Sequence, residues 1–183
     1  SGEGFYWKYE SFLKSLDFKL NSTVGAAGEL FSIRTKLFEN VSKNIILDDF
    51  IISMKIAEKG YKIAYEPNAF ASESASLSIN EEMKRKIRIS AGGIQSIFML
   101  LNILNIFKYP TLSFQYISHR VLRWTLAPFA FFLLIPINII IVYTYDFNIY
   151  YIILYCQITF YILALIGLIL EQKKIKVKMV FIP

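Results

Sequence analysis

Two uncharged runs toward the C-terminal end constrain this chain more than any other feature. From Thr125 to Tyr145 there are 21 residues without a charge, and from Phe147 to Leu170 there are 24. A helix rises about 1.5 Å per residue, so either run can cross a hydrocarbon core of roughly 30 Å. Pro128, Pro136 and Asn138 fall in the first run. A membrane helix tolerates them where its neighbours satisfy the freed backbone groups. The two runs explain why 55% of the residues are hydrophobic and only 19% charged, a balance too apolar for an ordinary soluble domain. Neither run is at the N-terminus, so neither reads as a signal peptide.

Charge orients the spans. Arg120 and Arg123 precede the first; Lys173, Lys174, Lys176 and Lys178 follow the second; the link "TYDFNIY" has no Lys or Arg. The positive-inside bias then puts both outer ends in the cytoplasm and the link outside. The net charge of +6 is uneven: no acid occurs between Met83 and Tyr145, while Lys84, Arg85, Lys86, Arg88, Lys108, Arg120 and Arg123 are basic. Beside membrane spans, such a surface points to anionic headgroups or a phosphorylated substrate rather than nucleic acid. The single Cys156 forms no internal disulfide and no zinc site.

Residues 1–96 read as a cytoplasmic domain, 97–119 as interfacial helices, and 120–183 as a membrane region with spans at about 125–145 and 149–170. Phe5–Leu20 has the apolar spacing of a helix face. Leu30–Ile33 is β-like. Asp48 or Asp49 caps a helix to about Lys59, Gly60 follows its C-terminus, and "YKIAYEP" reads as a strand closed by Pro67. A further helix spans about Asn80 to Ser96. "IFMLLNILNIF", Ile97–Phe107, is apolar but too short to cross a bilayer, and Pro110 ends it. His119 reads as a lone interfacial residue. The N-terminus lacks a start methionine, and the chain reads as a piece of a longer protein.

The adjacent carboxylates Asp48 and Asp49 fit two roles. Acidic residues cap helices, a contribution of about 1 kcal/mol. A carboxylate at a helix N-terminus is also rigidly aimed and held ionised by the helix dipole, as a general base for a hydroxyl nucleophile requires. Gly25 and Gly28 bracket two alanines, where the backbone can approach another segment or a ligand closely.

Five stretches, "FYWKYESFLK", "GAAGELFSIR", "DDFIISMKIAEKGYKIAYEP", "AFASE" and "KRKIRISAGGIQ", occur in an order that resembles the C-terminal half of family 2 glycosyltransferases. "SHRVLRWTLAPF" resembles the membrane-bound members related to hyaluronan, cellulose and poly-N-acetylglucosamine synthases. The resemblance implies an α/β fold, the C-terminal half of a GT-A mixed sheet, followed by an interfacial helix and a transmembrane hairpin. It implies Asp49 as general base, supported by Asp48, with Gly25 and Gly28 lining the substrate cleft. Where the family shows Gln-x-x-Arg-Trp, this chain has Arg85, Arg88 and Ile89. Arg88 retains a guanidinium suited to a diphosphate, whereas Ile89 cannot stack on a sugar. Glu73 matches a position near the cleft without a defined role.

The function so implied is inverting transfer from a nucleotide-sugar to a glycan or lipid-linked acceptor at the cytoplasmic membrane face, in polysaccharide or glycoconjugate synthesis. The alternative is a non-catalytic membrane protein, a transporter subunit or scaffold with a basic cytoplasmic domain. The family's Asp-x-Asp, which holds Mg²⁺ or Mn²⁺ on the donor, does not occur among Asp17, Asp48, Asp49 and Asp146. Those ligands are expected upstream of Ser1, and this piece alone is expected to be inactive.

Overall fold

The computed structural model describes residues 2–69, 71, 79–145 and 147–172. Glu73 and Lys173, Lys174, Lys176 and Lys178 lie outside the described residues. The order is α1 (Gly2–Leu20), a 3-10 turn (Thr35–Leu37), α2 (Asp48–Glu58), α3 (Ile79–Met99), a 3-10 turn (Leu101–Leu104), α4 (Pro110–Tyr116), a π-helical turn (Ile117–Val121), α5 (Leu122–Trp124), α6 (Leu126–Thr144) and α7 (Asn148–Gln172).

No β-strand occurs among the described residues, which corrects the expected α/β mixed sheet to a helical architecture joined by extended segments. The physical reason is visible at "YKIAYEP". Thr23 N–H donates to the Ile63 carbonyl at 3.1 Å, and the Thr23 hydroxyl donates to the same oxygen at 3.0 Å. The Ile63 N–H donates to the Ser22 hydroxyl at 2.9 Å. Side chains thus complete what a neighbouring strand would otherwise satisfy, and the ladder stops after one rung. Leu30–Ile33 likewise forms no strand and runs into the 3-10 turn.

Tyr9–Ala127 form one compact unit, organised around α2. Phe50, Ile51, Ile52, Ser53 and Met54 are consecutive and all buried. A helix apolar all round must be enclosed on every side. Val24, Leu100, Ile103, Leu112 and Tyr116 pack with α2, and Ile51 and Met54 lose all exposure. Burying one such side chain is worth about 1.5–3 kcal/mol. Gly60, at φ +91°, carries the chain past the end of α2, as its position in the sequence predicts.

The Ile97–Phe107 stretch is not one helix. α3 runs through Met99, a 3-10 turn follows, and Ser113 Oγ bonds the Ile103 carbonyl to fix the bend. Pro110 begins a helix rather than ending one, since the first helical position needs no N–H donor.

The second unit holds the paired apolar helices. Leu126–Thr144 and Asn148–Gly167 are long and apolar enough to cross a membrane, and none of either window is buried within the protein. Phe131 meets Tyr161 edge-on at 5.6 Å between ring centroids, and Asn138 donates to Gln157 at 2.6 Å.

Candidate active site at the start of α2

Residues 44–46 approach α2 through a turn, in which the Ile45 N–H donates to the Ser42 carbonyl at 3.1 Å, and are fixed by α3. The Ile46 N–H donates to Gln95 Oε1 at 3.0 Å, and Gln95 Nε2 donates to the Asn44 carbonyl at 2.9 Å. One side-chain amide therefore serves both a donor and an acceptor of this backbone. α3 comes this close because Gly92 and Gly93 carry no side chain. A Cβ on Gly92 would stand 2.6 Å from Leu47 Cγ, and one on Gly93 would stand 2.4 Å from the Trp124 ring.

Leu47 occupies the cap position of α2 and makes no side-chain cap bond, while Asp48 and Asp49 lie inside the first turn. This corrects the expected aspartate cap. Asp48 is exposed and Asp49 is half-buried. Burial raises the proton affinity of the Asp49 carboxyl above the ordinary aspartate range. The Phe50 N–H opposes this, and the neighbouring charges of Asp48 and Glu29 reinforce it. Desolvation thus outweighs the backbone N–H groups in setting the direction of the shift.

The two glycines meet consecutive residues of α2. A Cβ on Gly28 would lie 2.8 Å from Asp49 Oδ2, and one on Gly25 would lie 2.3 Å from Phe50 Cδ2. Gly25 adopts φ +86°, the left-handed region that glycine enters freely. Between them the Ala26 N–H donates to the Ser53 hydroxyl at 2.9 Å, which donates to the Asp49 carbonyl at 2.8 Å. The glycine loop and the first turn of α2 are one hydrogen-bonded unit.

Phe50, beside the candidate base, is gripped by residues 116–124. Trp124 meets it edge-on at 5.4 Å, Tyr116 lies 6.1 Å away, and the Arg120 guanidinium stands 5.8 Å from its ring centre. Arg120 also donates to the Val24 carbonyl at 3.3 Å, at the root of the glycine loop. His119 and Arg120 both lie in the π-helical turn; such turns recur at functional sites. His119 is not a lone interfacial residue: its Nδ1 lies 2.8 Å from Asp17 Oδ2. Gln115 holds the same buried carboxylate from its other oxygen, at 3.0 Å.

The structure therefore joins Gly28 to Asp49 and Gly25 to Phe50. Arg85 forms two 3.0 Å bonds to Glu82 on its own helix. Arg88 is exposed on α3, one turn before the Gly92 contact with the approach to α2. Sequence reasoning missed Gln95, Ser53, Arg120 and Trp124 as supports. The paired glycines followed by Gln95 were the available signal. Among the described residues no three His, Cys, Asp or Glu side chains gather into a metal-holding group, so none of these residues is assigned to a divalent ion.

No curated protein and no solved structure matches the chain. The family model described as "Glycosyl transferase family group 2" matches residues 6–165, most of the sequence. With that match, the chain belongs to glycosyl transferase family group 2.

Proposed function

We propose that this chain supplies the acceptor side of an inverting glycosyl transfer, from a nucleotide-sugar to a glycan or lipid-linked acceptor, with Asp49 as the general base. The acceptor oxygen bonds to the donor's anomeric carbon from the face opposite the diphosphate. The bond from that carbon to the diphosphate oxygen breaks, and its electron pair leaves with the nucleoside diphosphate. The hydroxyl proton passes to Asp49. Asp48 sits exposed beside the base and keeps the local field negative. Arg88 is free of the Glu82 pair that engages Arg85, and offers two parallel N–H donors to phosphate oxygens.

The observation that carries this reading is the Asp49 carboxylate itself: half-buried, raised in proton affinity, and approached by a loop that only a glycine at position 28 lets come so near. A general base works best when its proton affinity is raised toward the operating pH.

In the same reading α6 and α7 cross the membrane, residues 1–96 lie on the cytoplasmic face, and 97–119 rest at the interface. Phe98, Phe107 and Phe114 are 71%, 101% and 63% exposed, an arrangement suited to headgroups and acyl chains rather than water. Lys108 lies beside them in sequence, where it can meet lipid phosphates. The test is Asp49→Asn in the full-length protein. Membrane insertion and expression stay normal, and sugar transfer, followed as nucleoside diphosphate release, falls by at least a hundredfold. Turnover near the parent value refutes the assignment.

A further inference from the structure

α6 and α7 each carry a carboxamide near mid-span. Asn138 is three residues past the centre of Leu126–Thr144, about 4.5 Å along the axis. Gln157 lies at the middle of Asn148–Gly167. Asn138 Nδ2 donates to Gln157 Oε1 at 2.6 Å. An Asn–Gln pair brings four N–H donors and two carbonyl oxygens, and this bond uses one donor. Both amides line an open groove of about 440 Å³, whose other walls include Phe131, Cys156, Phe160 and Tyr161.

In a bilayer that groove cannot be left to acyl chains without cost, because hydrocarbon offers no hydrogen bonds to the remaining amide groups. Headgroups lie roughly 10–15 Å away along the normal. The occupant must present both donors and acceptors at the depth of Asn138 and Gln157. A second copy of the hairpin, related by a two-fold axis along the normal, brings the same two amides to that depth. Carboxamides are self-complementary, so an isologous contact satisfies both copies at once. The helices carry no charge there to oppose it.

We propose that α6 and α7 form a symmetric dimer in the membrane, sealed by Asn138 and Gln157 across this groove. The proposal rests on the reading of α6 and α7 as spans, and not on sugar transfer.

Cys156 makes the test direct, because it is the chain's single cysteine and lines the groove. The full-length protein, with any cysteine outside this chain replaced by serine, is oxidised in native membranes with copper phenanthroline. A disulfide-linked dimer through Cys156 is expected. Asn138→Leu and Gln157→Leu each lower its yield roughly three- to tenfold, the worth of one or two interhelical hydrogen bonds. Ile140, 63% exposed, lies on the opposite face of α6 at similar depth. A cysteine there, with Cys156→Ser, forms no dimer. Absence of the Cys156 dimer, equal linkage from both faces, or yields unaffected by both leucine variants overturns the proposal. So does a monomer whose Cys156 resists a membrane-permeant maleimide, which would mean another helix fills the groove. Release of the protein by alkaline carbonate overturns the spanning reading and the dimer together, whereas retention without cross-linking overturns the dimer alone.

Discussion

One added carbon atom at Gly28 separates the chemistry of the proposed base from the stability of the fold. The Cβ of Gly28→Ala would stand 2.8 Å from Asp49 Oδ2 and 3.3 Å from its Cγ, about 0.6 Å inside the onset of ordinary contact near 3.4 Å. Gly28 is exposed and does not adopt a left-handed conformation. Alanine therefore fits the backbone and restricts the unfolded chain, a gain of about 0.4–1 kcal/mol. The flexible carboxylate yields, not the helix. A misplacement of 1 Å costs about a hundredfold in rate, so 0.6 Å costs roughly tenfold or somewhat more. The expected outcome is an unchanged or slightly higher melting temperature with kcat for nucleoside diphosphate release about tenfold lower. The full-length protein is assayed in membranes with the nucleotide-sugar it turns over. A folded Gly28→Ala protein with parental kcat refutes the reasoning, because a base in that position cannot be indifferent to its displacement.

The ionisation of Asp49 gives a second expectation. Its base form is lost as pH falls through a raised pKa, so the acid limb of kcat/KM lies above the ordinary aspartate value near 3.9. A pH–rate profile with its limb at or below that value contradicts this. The same raised pKa means that the folded state favours the protonated carboxyl. Its stabilising contribution is present below the unfolded pKa and is lost as pH rises through the folded one. Asp49→Asn should accordingly melt no lower than the parent at neutral pH, with the difference closing in acid, as thermal unfolding across that range will report. Gly25→Ala meets both a 2.3 Å clash with Phe50 and a left-handed backbone, and should lose about 2–4 kcal/mol in denaturant unfolding. Gln95→Ala leaves the Ile46 N–H and Asn44 carbonyl without their amide partner. Because that site is exposed to water, the cost is about 1 kcal/mol, with faster hydrogen exchange at Ile46.

Much of the helical framework is legible in the residues. The boundaries of α2 follow from apolar crowding between an acidic pair and a glycine, and both long apolar helices follow from the absence of charge. The sheet is not there to be read. Alternation in "YKIAYEP" reports a half-buried extended segment, but a strand also needs a neighbour along its length, and neighbours are a tertiary property. Here Ser22 and Thr23 take the neighbour's place for one rung. Arg120 is misread for a related reason. Beside an apolar run, a basic residue resembles a headgroup collar, whereas this one meets the Phe50 ring and the Val24 carbonyl.

The candidate base shows where a local rule is opposed by burial. Helix-dipole reasoning predicts a carboxylate held in its charged form, because the first-turn N–H groups favour an anion. Those groups act on Asp49, but burial beneath the glycine loop acts more strongly, and Asp48 and Glu29 act with it. The residues around Asp49 in α2 do not encode that burial by themselves. It depends on Ser53 holding Ala26, on Gly25 admitting the Phe50 ring, and on Arg120 anchoring Val24 from nearly a hundred residues away. An acidic dipeptide at a helix start is common because capping is cheap. What sets this one apart is a loop kept thin by two glycines and tied to the same helix turn, so that the carboxylate loses water, as the proposed proton transfer requires.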